Sequence, residues 1–318
     1  MALTLIEAAK MMRGEDLRQA VVTIFAQSSE ILAALPFDDI QGNALRYMQE
    51  GALPGIGFRG VNEAYTEGVG VMNPVTEPLT ISGGDLDVDR FIVQTNGEAT
   101  RNTHEALKIK ALAQNWHLKV IKGDSTSNVK EFDGLQARLT GSQVISNSAA
   151  ANGAALSLTA LDELIDAVDN PTHLIMSKAM RRGFSYATRS TTNGVGANLE
   201  YGTDAFGRRQ MQYAGLPMLV ADANDIASSY AALGNNEVYT GGGTADGTSI
   251  YCVSFSDGML GGIQNGSMQV RDLGELDDKP VFRTRVEWYA GLAIYHPRAA
   301  ARLRDVNLAD NSTAPIVA

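Results

Sequence analysis

Residues 57 to 91, GFRGVNEAYTEGVGVMNPVTEPLTISGGDLDVDRF, are the stretch that most restricts how this chain can fold. They read as two long extended arms around a tip of Gly, Asn and Pro, with too few large apolar side chains to build a core. An isolated two-stranded ribbon of this kind is marginal in water. Its support must therefore come from something outside it.

The remainder of the chain is rich enough to supply a core. Its 318 residues are 44% hydrophobic, enough for one large domain or two ordinary ones. Glycine contributes 32 residues, well above the usual ~7% of a chain, which favours turns and extended segments over a helical bundle. A formal charge of −10 and a pI of 4.9 argue against a protein that gathers nucleic acid by bulk electrostatics. The one cysteine, Cys252 in the strand-like run SIYCVSF, excludes an internal disulfide framework and a cysteine-rich zinc site, and points to a reducing compartment. No segment approaches the about 18 apolar residues of a membrane span, and the N-terminal MALTLIEAAKMMRGEDLRQA lacks the pattern of an export signal. Neither export nor membrane insertion is expected.

Between Glu15 and Leu35, Leu17, Ala20, Val21, Ile24, Phe25 and Leu32 recur at three- and four-residue spacing and predict a helix that Pro36 ends. A second helix is predicted from about 100 to 121, with Ala106, Ile109, Ala113, Trp116 and Val120 in one stripe and Gly123 as a left-handed C-terminal cap. Helix is predicted again at 159–168, through Leu161, Leu164, Ile165 and Val168, and at 177–189 behind the cap residue Ser177. Strands are predicted at 173–176, 215–222, 248–255 and 267–273, with a glycine-rich loop at 240–248. Residues 280–297, PVFRTRVEWYAGLAIYHP, form a very long extended segment in which Phe282, Thr284, Val286 and Trp288 oppose Arg283, Arg285, Glu287 and Tyr289. The mixture is α+β, without an internal repeat, and the tail at 307–318 is expected to be poorly ordered.

Motifs that carry chemistry are weak. Gly55, Gly57 and Gly60 in GIGFRG match G-x-G-x-x-G, but that pattern holds a pyrophosphate only between a buried strand and a helix N-terminus. YMQEGALP upstream is not such a strand and VNEAYTEGVG downstream is not a helix, so a nucleotide-binding enzyme is the remote reading and a glycine-rich arm the better one. In DLDVD, Asp85, Asp87 and Asp89 suggest a calcium loop, but Arg90 and Asn96 stand where its glycine and final carboxylate belong. A strand with one wet face fits better. His104, His117, His173 and His296 show no ligand spacing, and there is neither a nucleophile elbow nor a P-loop. Cys252 has no flanking base, which suits a buried thiol. No catalytic residue, cofactor or metal site is assigned. Arg181 with Arg182, Arg208 with Arg209, and Arg298, Arg302 and Arg304 read as solvated faces or subunit contacts, with weak contact to nucleic acid as the lesser reading.

Three runs carry a resemblance: VKEFDGLQARL at 129–139, GRRQMQYAGLPMLVAD at 207–222, and VRDLGELDDKPVFRTRVEWYAGLAIYHPRAAARL at 270–303. With the order of arm, hairpin, long helix, compact α/β block and returning strand, they make the sequence similar to the major capsid proteins of tailed bacteriophages over about residues 15–306. The resemblance implies an HK97-like phage capsid fold: N-terminal arm at 1–49, extended β-hairpin loop at 50–92, peripheral domain with a spine helix at 93–154, axial domain at 155–275, return strand at 276–306 and flexible tail at 307–318. It implies a structural protein rather than an enzyme, whose copies form pentamers and hexamers joined into an icosahedral shell around a double-stranded DNA genome. Assembly would take place in the cytoplasm of the bacterial host and the product would reside in the virion. Scaffolding, portal and decoration proteins would be partners, and packaged DNA would be touched weakly and non-specifically. Bacterial encapsulin shells, which hold enzymes instead of a genome, share the fold and remain the alternative.

In such a shell the extended loop lies across the neighbouring subunit, which would support the coreless hairpin. Charge agrees with that placement. Residues 55–90 carry Arg59 and Arg90 against Glu63, Glu67, Glu77, Asp85, Asp87 and Asp89, a net −4. Residues 101–130 carry Arg101, Lys108, Lys110, Lys119, Lys122 and Lys130 against Glu105 and Asp124, a net +4. The expectation is that the acidic loop of one subunit docks on the basic spine region of the next. Residues 55–90 contain no lysine, so the lysine-to-asparagine crosslink of some relatives is not expected there. The arm begins at Met1, which leaves no room for the cleaved scaffolding segment of others, so scaffolding is expected from a separate protein.

Overall fold

The computed structural model describes residues 3–4, 29–187, 199–203, 207, 209–221, 232–233, 237–243 and 247–307. Most of the helix expected at 15–35, Arg208, part of the loop at 240–248 and the tail from 308 lie outside them. In chain order the strands are β1 (Leu3–Thr4), β2 (Pro36–Asp39), β3 (Ala44–Ala52), β4 (Val71–Pro78), β5 (Thr80–Asp89), β6 (Val144–Ser146), β7 (His173–Met176), β8 (Leu199–Thr203), β9 (Arg209–Tyr213), β10 (Leu216–Val220), β11 (Gly247–Val253), β12 (Leu260–Gln264), β13 (Gln269–Glu275), β14 (Val281–Ile294) and β15 (Ala300–Asn307). The helices are α1 (Glu30–Ala34), α2 (Arg90–Asn96), α3 (Glu98–Lys122), α4 (Leu135–Arg138), α5 (Leu158–Asp166) and α6 (Lys178–Ala187).

A six-stranded sheet is organised by β14. Its residues 281–290 pair antiparallel with β5 on one side, and on the other 282–287 pair with β13 and 290–294 with β12. β2 and β1 continue the sheet beyond β12. Thr284, Val286, Trp288 and Ala290 are buried while Arg283, Arg285, Glu287 and Tyr289 are only partly so, the alternation expected of a strand with one core face. The spine helix α3 contributes Ile109, Leu112, Ala113, Trp116, Val120 and Ile121 to that core. Trp116 lies 5.2 Å from Trp288, 5.5 Å from Phe37 and 5.8 Å from Phe132, ring centroid to centroid, in tilted pairs. Each such pair stabilises by about 1 kcal/mol beyond the area it buries.

The seven-stranded sheet runs β6-β15-β11-β7-β10-β9-β8 and is covered on both faces at its centre. Along β11 every residue is buried, with Ile250 and Cys252 in the cluster built by α5 and α6 and Tyr251 and Val253 in the cluster shared with α3. Burial on both faces explains why SIYCVSF shows an apolar run rather than alternation. The same burial pushes the Cys252 thiol up to about 12, so it is unreactive in the folded chain.

Four expectations meet a different structure. Residues 260–275, placed with the axial segment, supply β12 and β13 to the sheet of β14, while 300–307, placed with the return strand, supply β15 to the other sheet. Ladder partners are non-local, and periodicity does not say which sheet a strand joins. Gly123 is not left-handed: its φ is −58° and ψ 140°. Glycine is required there by close approach, since a Cβ would lie 2.3 Å from Phe132 O and 2.5 Å from Lys119 O. Arg302 is buried rather than solvated, donating to Glu237 and to Ser249 Oγ, each at 3.0 Å. The last difference, in the hairpin, belongs to the interface described below.

His117 joins three parts of the chain from the buried side of α3. Its Nε2 donates to Ala221 O at 2.6 Å, which leaves Nδ1 to accept from the Ser29 hydroxyl at 2.5 Å. Burial holds its pKa down at about 4. Because the folded value lies below the unfolded ~6.5, the unfolded chain takes up the proton first; stability is complete above that value and is lost as pH falls towards 4, by about 3 kcal/mol. Urea unfolding at pH 7 and pH 4.5 should therefore show a smaller pH-dependent loss for His117→Gln than for the parent chain.

Candidate assembly interface

Two strands leave the body of the molecule. β3 and β4 pair from Ala44↔Pro78 to Ala52↔Val71 and, among the described residues, form no ladder with any other strand. The arms expected within 57–91 are thus placed at 44–52 and 71–78, with 53–70 as the tip. Residues 80–89 instead run along β14, because Val88 turns into the core while Asp87 and Asp85 receive Arg283 and Arg285 at 2.6 to 2.9 Å. GIGFRG falls in the tip, with the exposed strand β3 before it and no helix until α2, so it forms no pyrophosphate cradle.

The tip has a defined shape without a core. Glu63 Oε2 accepts from Gly60 N at 2.8 Å, Arg59 donates to Glu63 O at 3.2 Å, and the Arg59 guanidinium lies over the Tyr65 ring at 5.1 Å. Gly68 passes so close to Gly55 that a Cβ there would lie 2.7 Å from its backbone N and O. Around this frame the apolar side chains point outward: Ile56 is 96% and Val61 92% exposed, and Phe58 is fully exposed. Exposed apolar groups clustered on one projection mark a contact surface.

Polar contacts fix the hairpin root. Arg138 grips Glu77 with both Nη atoms, Nη2 donating to Oε2 at 2.7 Å, and Glu77 is 6% exposed. Arg138 Nε donates to Asp133 O at 2.7 Å, which orients the fork. Opposite, the Tyr47 hydroxyl donates to Ile294 O at 2.7 Å and its ring packs on Tyr295 at 4.9 Å. Burial, then the Glu77 charge, pushes the Tyr47 hydroxyl up to about 12.

The acidic and basic residues singled out in the sequence are brought together mostly within one chain. Asp85 and Asp87 sit below the usual carboxylate range, chiefly through their hydrogen bonds to Arg285 and Arg283, and Asp89 caps α2 by accepting from Phe91 N at 2.7 Å. On the spine, Arg101 meets Asp272 at 2.6 Å and Glu105 at 3.2 Å, and Lys119 meets Glu131 at 2.7 Å. Lys108 lies over Gly84, Lys110 is half-buried, and burial lowers the pKa of Lys122. Only Arg59, Glu63 and Glu67 occupy the tip. Tyr47, Arg138, Ile56, Phe58 and Val61 were not singled out. The last three were legible as large apolar residues in a glycine-rich polar loop, whereas Glu77 and Arg138, 61 positions apart, gave no signal.

Comparison with solved structures defines the fold. The chain superimposes on the encapsulin complex of Synechococcus elongatus with a TM-score of 0.62 and 17% identity over 97% of both chains. It matches the capsid of an empty GTA particle with a TM-score of 0.59 and 13% identity, over 88% of this chain and 90% of that one. A chain of Mycobacterium phage Adephagia matches with a TM-score of 0.62 and 11% identity, over 88% and 90% respectively. No family model matches the sequence, and no curated protein matches it. The chain therefore has the α+β fold of these solved structures.

If the root contacts orient the hairpin, Arg138→Gln should strand Glu77 and cost about 3 kcal/mol, more than the double change Glu77→Gln with Arg138→Gln. Urea unfolding measures the first effect. Limited proteolysis at 53–70, expected to accelerate in the single variant, measures the loosened hairpin.

Proposed function

We propose that this chain is the major head protein of a tailed bacteriophage, assembling into pentamers and hexamers that close into an icosahedral shell around double-stranded DNA. The observation that carries the reading is the hairpin: it lacks a core, is fixed at its root and projects apolar side chains that no part of the same chain covers among the described residues. A projection on one subunit and an acceptor on the next make a heterologous contact, which closes rings when the rotation allows. Many modest contacts in a closed shell then hold each subunit together. In this reading the seven-stranded sheet belongs to the axial domain and the sheet of β14 with α3 to the peripheral domain.

Because Glu77, Asp85, Asp87, Arg101 and Lys119 have partners in their own chain, electrostatic docking between subunits reduces chiefly to Glu63 and Glu67. Apolar tip residues supply most of the affinity, and charge sets register. The net −10 suits a container that touches its DNA weakly. Scaffolding and portal proteins complete the assembly.

A second reading, a nanocompartment holding protein cargo, is favoured by the match over 97% of both chains to an encapsulin. Nucleic acid content of purified particles separates the two: DNA-filled heads support the first, nucleic acid-free shells with protein cargo the second. Electron microscopy of the purified chain, with size-exclusion chromatography, should show shells, tubes or free capsomers; a uniform monomer that stays monomeric beside co-expressed assembly proteins overturns both. In the variant Ile56→Ser with Phe58→Ser, thermal stability should stay unchanged while the concentration needed for assembly rises at least tenfold, since each buried side chain contributes about 2 kcal/mol. Glu63→Lys with Glu67→Lys should slow assembly most at low salt.

A further inference from the structure

A groove of about 720 Å³ opens beside the hairpin root, between the hairpin, the segment following α4 and the turn after β14. Val75, Leu139, Ala167 and Pro297 give it apolar wall, and Arg298, half exposed, lies at its edge. Gln143, another wall residue, has a buried Oε1 that accepts no hydrogen bond among the described residues. Nothing in the site is catalytic in arrangement: its one buried ion pair, Glu77 with Arg138, is bidentate and structural.

We propose that this groove receives the apolar tip of a second copy's hairpin, with Phe58 and Ile56 entering it. The proposal rests on the reading of the chain as a shell subunit and names the acceptor that reading requires. Reach makes the contact intermolecular: the β3 ladder of 9 residues holds the tip away from its own root, by roughly 30 Å at ~3.4 Å per residue. Size fits, since the groove has room for two or three side chains, the scale of a small-ligand pocket. Charge is compatible: the tip carries Arg59 against Glu63 and Glu67, a net −1, and Arg298 at the mouth, held by Asp169 at 3.3 Å and donating to Asp166 O at 3.1 Å, would be shared with a carboxylate of the incoming tip. A backbone N–H of the entering loop can satisfy Gln143 after a small rotation of its amide.

The arrangement couples the two ends of the hairpin. Tyr47 and Glu77 line the groove and also fix the direction of the hairpin that leaves it. A tip seated in the groove braces those contacts and so orients the next tip for its own acceptor. Assembly propagates in one direction around a ring.

Single engineered cysteines test the placement, because Cys252 is buried and its thiol is held up at about 12. Full chains carrying Phe58→Cys and full chains carrying Ser142→Cys are co-assembled in equal amounts and treated with a short bismaleimide; Ser142 is an exposed residue of the groove wall. The expected result is a crosslinked dimer at least tenfold above that in particles of either variant alone, and a ladder when both changes are in one chain. Particles that form normally without the mixed dimer overturn the groove and leave the shell reading standing, as does a dimer from Phe58→Cys particles alone, which would mean tip-to-tip contact. If that pair fails to assemble, Val61→Cys with Thr140→Cys is used; absence of particles from it and from the parent chain removes both readings.

Discussion

The antiparallel ladder between Thr80–Asp89 and residues 281–290 of β14 is the constraint on which the rest of the molecule depends. It fixes the long strand along its outer half, so that Trp288 comes to rest under Trp116 and the spine helix is locked to the sheet. It also determines where the hairpin can leave. Beyond Thr80 the chain adds no further rung to the β14 ladder, and Leu79 N turns to Asn43 O at 2.9 Å to begin the hairpin instead. Arg283 and Arg285, forked onto Asp87 and Asp85, add register to that ladder more than stability, since all four side chains are wet.

At the hairpin root the chemistry changes from wet to buried, with a structural consequence. An apolar contact would let the hairpin slide or rock, because dispersion has little directional preference. A two-pronged guanidinium on a carboxylate, with a hydroxyl on a carbonyl across from it, tolerates one orientation. The apolar groups are placed at the far end, where nothing of the same chain covers them among the described residues.

Much of this architecture was legible from local pattern. The stripe through Ile109, Ala113, Trp116 and Val120 specified a long helix, found at 98–122, and the alternation from Phe282 to Tyr289 specified a half-buried strand, found at 281–294. Buried Cys252, and a GIGFRG with no helix directly behind it, followed from neighbours in sequence. The hairpin was half legible: its lack of a core was plain, but residues 80–89 look as extended as 71–78, and only the presence of β14 separates them. Net charge was misleading for a similar reason. Summed over segments it suggested docking between chains, while distances show the acids of β5 matched to the arginines of β14.

The sequence by itself determined the α+β class, the main helices and strands, the inert thiol and the presence of a segment that cannot support itself, because each of these depends on side chains within a few positions of one another. Tertiary structure decided which sheet each strand joins, where the hairpin begins, the Glu77–Arg138 joint, the burial of Arg302 and the groove beside the root. Those depend on contacts between residues tens to hundreds of positions apart, whose pairing is selected by packing geometry and burial and leaves no trace in local periodicity.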